Sequence, residues 1–467
     1  MKIAFASSEV VPFAKTGGMA DVCGTLPFSL ARLGVEVVII MPLYKTIDRK
    51  HNRIKETDRG LFETVVGCGI KVYFVDQEKY FGREGIYGTQ KGDFPDNLER
   101  FQFFCWKTLE ILKSVDFKAD IIHCHDWQTA LIAAYLKFNL KNDAFYKNMK
   151  SIFTIHNMAY QGVFPKKEFP KLKLDQKLFG VDGFEFYDQV NLLKGGILFS
   201  DCVSTVSPQY AKEIQTAQQG CGLDGVLRSR KTKISGILNG LDYDSWNPKT
   251  DPLIAHPFSA GDLAGKTLNK KRLQEMFNLP AKNDVPVLGF VGRLSHQKGL
   301  DLIAEGMEDL LALDAQFVFL GVGDEKSHRM LEKFSHSNSN KMAIALRHDE
   351  ETAHQVYAGS DLFLMPSVYE PCGLSQMISL RYGTIPVVFK TGGLADTIKP
   401  FDTKDGNGFV FEVYKKEPFV KTVKKACEVY KDKKIFTALM ARAFACDFSW
   451  DHSAKEYVKL YESVTKS

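Results

Sequence analysis

Two near-identical heptapeptides, KTGGMAD at 15–21 and KTGGLAD at 390–396, stand near opposite ends of the chain. Paired glycines let backbone N–H groups approach an anion closely, a following helix adds a favourable dipole, and lysine adds a point charge. Either loop alone also reads as a tight turn. The repetition, with Thr and Asp retained, points to a shared anionic guest. VGRLSHQKGL at 291–300 sets Arg293 and Lys298 just after an apolar run. Two cations there can neutralise a diphosphate leaving group without a metal; a solvated loop is the alternative. SVYEPCGLS at 367–375 sets Glu370 where a carboxylate can hold sugar hydroxyls, with Pro371 and Gly373 fixing the turn into the next helix. A helix-cap contact would explain the same glutamate.

Two further stretches end apolar runs with polar residues. IIHCHDW at 121–127 places His123 and His125 on one face by period two. A His-x-His pair with no third ligand nearby is a poor zinc set. Asp126 and Trp127 suit a sugar subsite, carboxylate for hydroxyls and indole for the ring face. TIHNMAYQG at 154–162 places His156 and Asn157 at an equivalent end. Together these groups fit a sugar nucleotide, charged in the middle and recognised at both ends.

Such groups need a scaffold that gathers loops at one edge, and the apolar pattern supplies it. Short Val/Ile-rich runs recur at Ile3–Ala6, Val35–Ile40, Val72–Val75, Ile121–His125, Ser151–Ile155, Cys202–Thr205 and Ile234–Leu238. They read as buried parallel strands. Helical stretches such as Ala20–Leu33, Leu98–Val115 and Trp127–Phe138 separate them. A second series follows, with strands at Val285–Val291, Gln316–Leu320, Met342–Leu346, Asp361–Met365 and Ile385–Phe389. Its helices read as Leu300–Leu313, His354–Ala358 and Leu374–Arg381. The alternation predicts two doubly wound α/β domains, 1–243 and 244–448, whose ligands bind at the carboxyl ends of the strands. A last helix at 449–467 presents Ala454, Tyr457, Val458, Tyr461 and Val464 on one face. The first heptapeptide follows the first strand and the second follows a late one, so the pair is two separate solutions rather than a duplication.

At 467 residues the chain exceeds one ordinary core. Its net charge of +5, with no basic stripe or recognised binding motif, does not suggest a nucleic-acid binder. Nine scattered cysteines without a CxxC pair suit a reducing cytosol. The N-terminus is too briefly apolar for a signal peptide, and no uncharged run has transmembrane length. The expectation is a soluble cytoplasmic protein, complete from its first residue, with no membrane partner.

The chain resembles the bacterial glycogen synthases and plant starch synthases. The carriers are KTGGMADV, GIYG at 85–88, HDWQTA at 125–130, TIHNMAYQG, TVSPQYA at 205–211, GILNGLDYDSWNP at 236–248, GRLSHQKG at 292–299, EPCGLSQ at 370–376, YGTIPVV at 382–388 and KTGGLADT. GILNGLDYDSWNP and EPCGL, in that order, are the most specific. The resemblance implies a GT-B-type glycosyltransferase, two Rossmann-like domains facing across a cleft. It implies transfer of glucose from ADP-glucose to the non-reducing 4-OH of an α-1,4-glucan (glycogen, maltooligosaccharide or starch), with retention and without cofactor or metal. Carried over, Lys15 and Gly18 approach the donor, and Arg293 and Lys298 bind its diphosphate. Glu370 holds glucose hydroxyls, while Gly373, Leu374, Thr391, Gly392 and Gly393 hold phosphate and sugar. His156 sits beside the reacting carbon. Asp21, Tyr87, Asp126, Asn157 and Asn239 lie on the glucose or acceptor side, and the last helix returns to the first domain. Two positions depart from related transferases. Ile378 stands where cousins carry a second glutamate, which favours the starch and glycogen branch. His348 stands where many bacterial synthases stack a tyrosine on adenine, and an imidazole offers less area. A UDP-glucose transferase and a non-catalytic glucan-binding protein are the competing readings.

Overall fold

The computed structural model describes residues 1–89, 91–230 and 234–466. The chain forms two compact units, Met1–Gly240 with Trp450–Ser467, and Leu241–Ser449.

The strands of the two large sheets are labelled in chain order. Unit 1 holds β1 (Lys2–Ala6), β2 (Glu36–Pro42), β3 (Lys55–Glu56), β4 (Phe62–Val66), β5 (Ile70–Val75), β6 (Ile121–His125), β7 (Lys150–Ile155), β8 (Cys202–Thr205) and β9 (Ser235–Gly236). They lie in the order β9-β8-β7-β6-β1-β2-β5-β4-β3. The pairings from β9 to β5 are parallel, and β4 and β3 add an antiparallel edge. β1 and β6 are buried almost throughout, as strands covered by helices on both faces must be.

Unit 2 holds β10 (Val287–Val291), β11 (Gln316–Leu320), β12 (Met342–Ala345), β13 (Leu362–Met365), β14 (Ile385–Phe389) and β15 (Phe409–Phe411), all parallel, in the order β12-β11-β10-β13-β14-β15. The parallel strands of both units therefore follow the Rossmann order. It reverses between β1 and β6 in one unit and between β10 and β13 in the other. Loops leaving the carboxyl ends at such a switch point splay apart and open a crevice. KTGGMAD follows β1, HDW follows β6, GRLSHQKG follows β10 and EPCGL follows β13.

Two expected elements are corrected. The strand expected over Ile234–Leu238 shrinks to Ser235–Gly236, because it is an edge strand with only β8 to pair with. The helix expected over Trp127–Phe138 is a 3₁₀ turn (Trp127–Thr129), a short α segment (Leu131–Ala134) and a π segment (Tyr135–Asn139). The Thr129 hydroxyl donates to the carbonyls of His125 and Asp126, at 3.0 and 3.1 Å, which tightens the first turn.

The helix Trp450–Thr465 packs on Gly18–Arg32 within unit 1. It buries Trp450, Ala454, Tyr457, Tyr461 and Val464. No described helix is long and apolar enough to cross a membrane.

Candidate active site

In unit 1 the chain leaves β1 through Ser7, Ser8 and Glu9, all buried. The Glu9 carboxylate organises the first KTGG loop. It accepts hydrogen bonds from the Thr16 backbone N–H, from the Thr16 hydroxyl at 2.7 Å and from the Gly17 N–H at 3.2 Å. The Tyr87 hydroxyl also donates to it at 2.6 Å and lies 2.8 Å from Ser8 Oγ. Burial, and secondly the Glu9 charge, push the Tyr87 phenol well up, so it stays protonated and available as a donor. Lys15 and Asp21 pair across the loop at 2.7 Å, both solvent-accessible. A Cβ added at Gly17 or Gly18 would meet nothing within 4 Å. The helix Gly18–Arg32 begins here, with its first backbone N–H groups beside open space.

At the end of β6, Asp126 adopts φ 55°, ψ −178°, a conformation sparsely populated for any residue but glycine. This turns its carboxylate towards the end of β7, where Oδ1 accepts the His156 N–H at 2.7 Å. Burial raises the Asp126 pKa to about 7, against the backbone N–H groups of His156 and Asn157, which favour the carboxylate. His156 Nε2 lies 3.0 Å from His125 Nδ1. Burial pushes the His156 pKa down to about 3, so its imidazole is neutral at physiological pH. Asn157 folds back locally, accepting from the Ala159 N–H at 3.0 Å. Asn239 is buried, and its Oδ1 has no hydrogen-bond partner among the described residues. Such an orphan acceptor at a carboxyl edge is available to a hydroxyl donor.

In the IIHCHDW stretch His123 and Trp127 are both buried, and Trp127 departs from the expected sugar subsite. His123 lies in the core, 2.9 Å from the Tyr461 hydroxyl through Nδ1 and 2.6 Å from Thr154 Oγ1 through Nε2. Both nitrogens are engaged, so it is no metal ligand. Among the described residues no group of three His, Cys, Asp or Glu side chains could hold a metal ion. Trp127 is no sugar platform, because its indole packs on Gly162 and edge-on with Phe101, ring centres 5.0 Å apart.

In unit 2 the two switch-point loops meet. Lys298 Nζ lies 2.6 Å from Glu370 Oε2, which also accepts from the Ser367 hydroxyl at 3.1 Å. Glu370 is 6% exposed. Gly299 holds the turn before the next helix at φ +77°, and a Cβ there would strike the Pro366 carbonyl oxygen at 2.0 Å. The second KTGG loop buttresses this turn from behind. The Gly393 N–H donates to the Glu370 carbonyl at 3.0 Å. Cβ atoms at Gly392 and Gly393 would lie 2.0 and 1.9 Å from the carbonyl oxygens of Glu370 and Cys372. Thr391 is buried with them. Gly373 has φ +75°, and Gln376 Nε2 donates to its carbonyl and to that of Cys372, both at 3.0 Å, ahead of Leu374. Arg293 is exposed and reaches Gln297 Oε1 at 3.2 Å. His348 is exposed in the loop after β12, on the carboxyl edge.

Of the expected residues, then, Lys15, Gly18, Asp21 and Tyr87 gather around the first loop, and Asp126 and His156 share a hydrogen bond. Lys298, Glu370, Gly373, Gly392 and Gly393 form one packed turn. Sequence reasoning missed Glu9 and Ser367. The signal for Glu9 was present: an acid directly after a buried strand, the same position that singled out Glu370.

Residues 2–229 match the family described as starch synthase catalytic domain, and residues 271–438 match glycosyl transferases group 1. The chain is 47% identical to the glycogen synthase of Geotalea daltonii over 480 residues, covering 99% of each. It is 45% identical to that of Thermotoga maritima over 485 residues, again 99% of each. Among solved structures, the catalytic domain of starch synthase IV from Arabidopsis thaliana, bound to ADP and acarbose, superposes with a TM-score of 0.90 at 36% identity, covering 100% of this chain and 99% of that one. Sucrose-phosphate synthase from Thermosynechococcus elongatus shares the fold at 16% identity, with a TM-score of 0.63 over 99% and 98% of the two chains. Two Rossmann-ordered units of the GT-B type, cationic and carboxylate groups on their carboxyl edges, and full-length identity near one half place this chain in the glycogen and starch synthase family of glucosyltransferases.

Proposed function

We propose that the chain transfers glucose from ADP-glucose to the non-reducing 4-OH of an α-1,4-glucan, with retention at the anomeric carbon. The carrying observation is the Lys298–Glu370 pair, set at the unit 2 switch point on a turn buttressed by the second KTGG loop. One cation for the diphosphate and one carboxylate for glucose hydroxyls are what a nucleotide-sugar donor requires at its scissile end. Arg293, exposed on the same loop, supplies the second cation, and the backbone at Gly373–Leu374 and Thr391–Gly393 lines phosphate and sugar. His348 offers a ring face to the base.

Unit 1 carries further groups that this reading uses. Lys15 and Gly18, on the open loop that Glu9 holds, bring charge and backbone donors to the donor phosphates. Asp126 pins the His156 backbone, and the carbonyl of His156 faces the β-side of the sugar as positive charge develops there. Asp21, Tyr87, Asn157 and the orphaned Asn239 Oδ1 serve glucose or acceptor hydroxyls. The glucan O4 attacks C1 from the side that the diphosphate leaves, the C1–O bond breaks, and the acceptor proton passes to the departing phosphate oxygen. Arg293 and Lys298 stabilise the charge on that oxygen. The buried, neutral His156 is no proton donor at physiological pH. Nine free thiols suit a reducing compartment, and we place the enzyme in the cytoplasm.

The test is incubation with ADP-glucose or UDP-glucose and a maltooligosaccharide, following nucleotide release, chain length and the anomeric proton of the new linkage. ADP release coupled to α-linked lengthening is expected. Nucleotide release without lengthening, or preference for UDP-glucose, would overturn the reading.

A further inference from the structure

On the opposite edge of unit 1, a cavity of about 720 Å³ opens at the amino ends of β7 and β8. Its walls are strongly one-signed. Lys137, Lys141, Lys147, Lys150 and Arg230 line it, against a single carboxylate, Asp201. That carboxylate is already used: Asp201 Oδ2 accepts from the Ser151 N–H at 2.7 Å and lies 2.9 Å from Ser151 Oγ. None of the four lysines makes an ion pair with a described residue, although lysines elsewhere on the chain commonly do. Arg230 is fixed to the end of the helix Leu192–Phe199, donating to the carbonyls of Ile197 and Ser200. Arg230 is therefore held by built structure, and the lysines extend around it.

A second observation concerns the same lining. Ser200, one of its residues, is 5% exposed, and its hydroxyl has no hydrogen-bond partner among the described residues. A buried hydroxyl without a partner is costly unless something else satisfies it. The floor beside it is apolar and aromatic, with Tyr146 and Phe199 buried. Concave walls of one charge over a low-dielectric floor focus potential and concentrate anions. The π segment Tyr135–Asn139 carries Lys137 to the rim, and such segments recur at functional sites.

We propose that this cavity is a second binding site, for a small phosphorylated sugar or similar phosphate ester, separate from the transferase centre. Phosphate oxygens take the lysines and the Ser200 hydroxyl, and an uncharged ring lies on the Tyr146–Phe199 floor. The site grips β7 at Lys150, one strand length (about 20 Å) from His156 at the other end of β7.

Isothermal titration of the full chain with a hexose bisphosphate and with inorganic pyrophosphate, at fixed ionic strength, tests it. Expected is saturable 1:1 binding that survives Arg293→Ala/Lys298→Ala. It should weaken at least tenfold in Lys147→Ala/Lys150→Ala and measurably in Ser200→Ala. Lys137→Ala/Lys141→Ala, at exposed positions, is the fallback if the first pair fails to fold, and the same tenfold loss is expected. Binding by neither probe, unchanged binding in the lysine variants, or loss in the Arg293/Lys298 variant instead would each overturn the proposal. Tighter binding of long heparin than of either small probe, with steep salt dependence, would do so too, by showing a diffuse charged face.

Discussion

Lys298 and Glu370 lie 2.6 Å apart with the carboxylate nearly buried, so each orients the other before any ligand arrives. Lys298→Ala and Glu370→Ala should each lower kcat about a hundredfold or more, the usual scale for an electrostatic group acting on developing charge. Nucleotide release by the folded variants measures it, and near-wild-type turnover in either would remove the pair from the site. Glu9 makes a subtler case. Its two oxygens take donors from Thr16, Gly17 and Tyr87. Glu9→Gln substitutes an NH₂ for one acceptor and sets donor against donor, which costs about 1–3 kcal/mol for a group left unpaired. If Glu9 acts by holding the first KTGG loop, the variant raises the donor KM, while Tyr87→Phe, which leaves the loop bonds intact, does so less. Equal effects of the two changes would show that the phenol, not the loop, is what matters. Residue-level reading singled out Glu370 and Lys298, which the structure pairs, because charge beside a buried strand is visible in one dimension. Glu9 carries the same signal and was passed over; only its partners, the Thr16 and Gly17 backbone and Tyr87, are assembled by folding.

The two KTGG loops are alike in letters and unlike in structure. In the first, both glycines face open space; in the second, both sit under carbonyl oxygens of the EPCG turn. Gly393→Ala should therefore destabilise the unit 2 fold and lower Tm by several degrees, because its Cβ would lie 1.9 Å from a backbone atom that cannot step aside. Gly18→Ala should leave Tm within about a degree and act, if at all, on donor binding. Thermal melts of both variants decide it, and equal losses would contradict the asymmetry. The element pattern itself was largely readable. β6, β8, β11 and β14 appear at the expected bounds, because buried parallel strands are uninterrupted apolar runs. Strand β15, three residues long, and the antiparallel edge β3–β4 went unread, since short edge strands carry little apolar signal. The helices Lys416–Lys431 and Lys433–Phe444 went unread too; in the first, a lysine-rich outer face dilutes the buried one. The break at Trp127–Asn139 was unread, because the apolar run Leu131–Leu136 looks the same for an α, 3₁₀ or π backbone.

At the scale of the whole chain, the last helix and three histidines make one unit of stability. His123, His125 and His156 stand in a buried row, with ring centres 4.2 Å apart for the first pair and 5.2 Å for the second, and the Tyr461 hydroxyl caps the first ring. Burial pushes the pKa of His123 and His156 down to about 3, and that of His125 well below its ordinary value. In the unfolded chain these groups titrate near 6.5. The unfolded state therefore binds more protons below that pH, so their contribution is fully present above about 6.5 and is lost as pH falls. Asp126 runs the other way. Its pKa of about 7 keeps the folded carboxyl protonated where the unfolded one has ionised, so it weakens the fold as pH rises from about 3.8 to 7. Three groups against one leave a net loss on acidification, roughly 2–3 kcal/mol per pH unit at most. Denaturant melts at pH 6.5, 5.5 and 4.5 should show a steep fall, and a flat profile would mean that the imidazoles are charged in the fold. The terminal helix covers this row. Its four large buried side chains, Trp450, Tyr457, Tyr461 and Val464, at about 1.5–3 kcal/mol each, approach a typical domain's whole stability. Removing 450–467 is thus expected to leave unit 1 unfolded, whereas Tyr461→Phe should cost only about 1–3 kcal/mol for the His123 nitrogen it strands. A cooperative melt of the truncated chain with wild-type amplitude would show that unit 1 closes its core without its last helix.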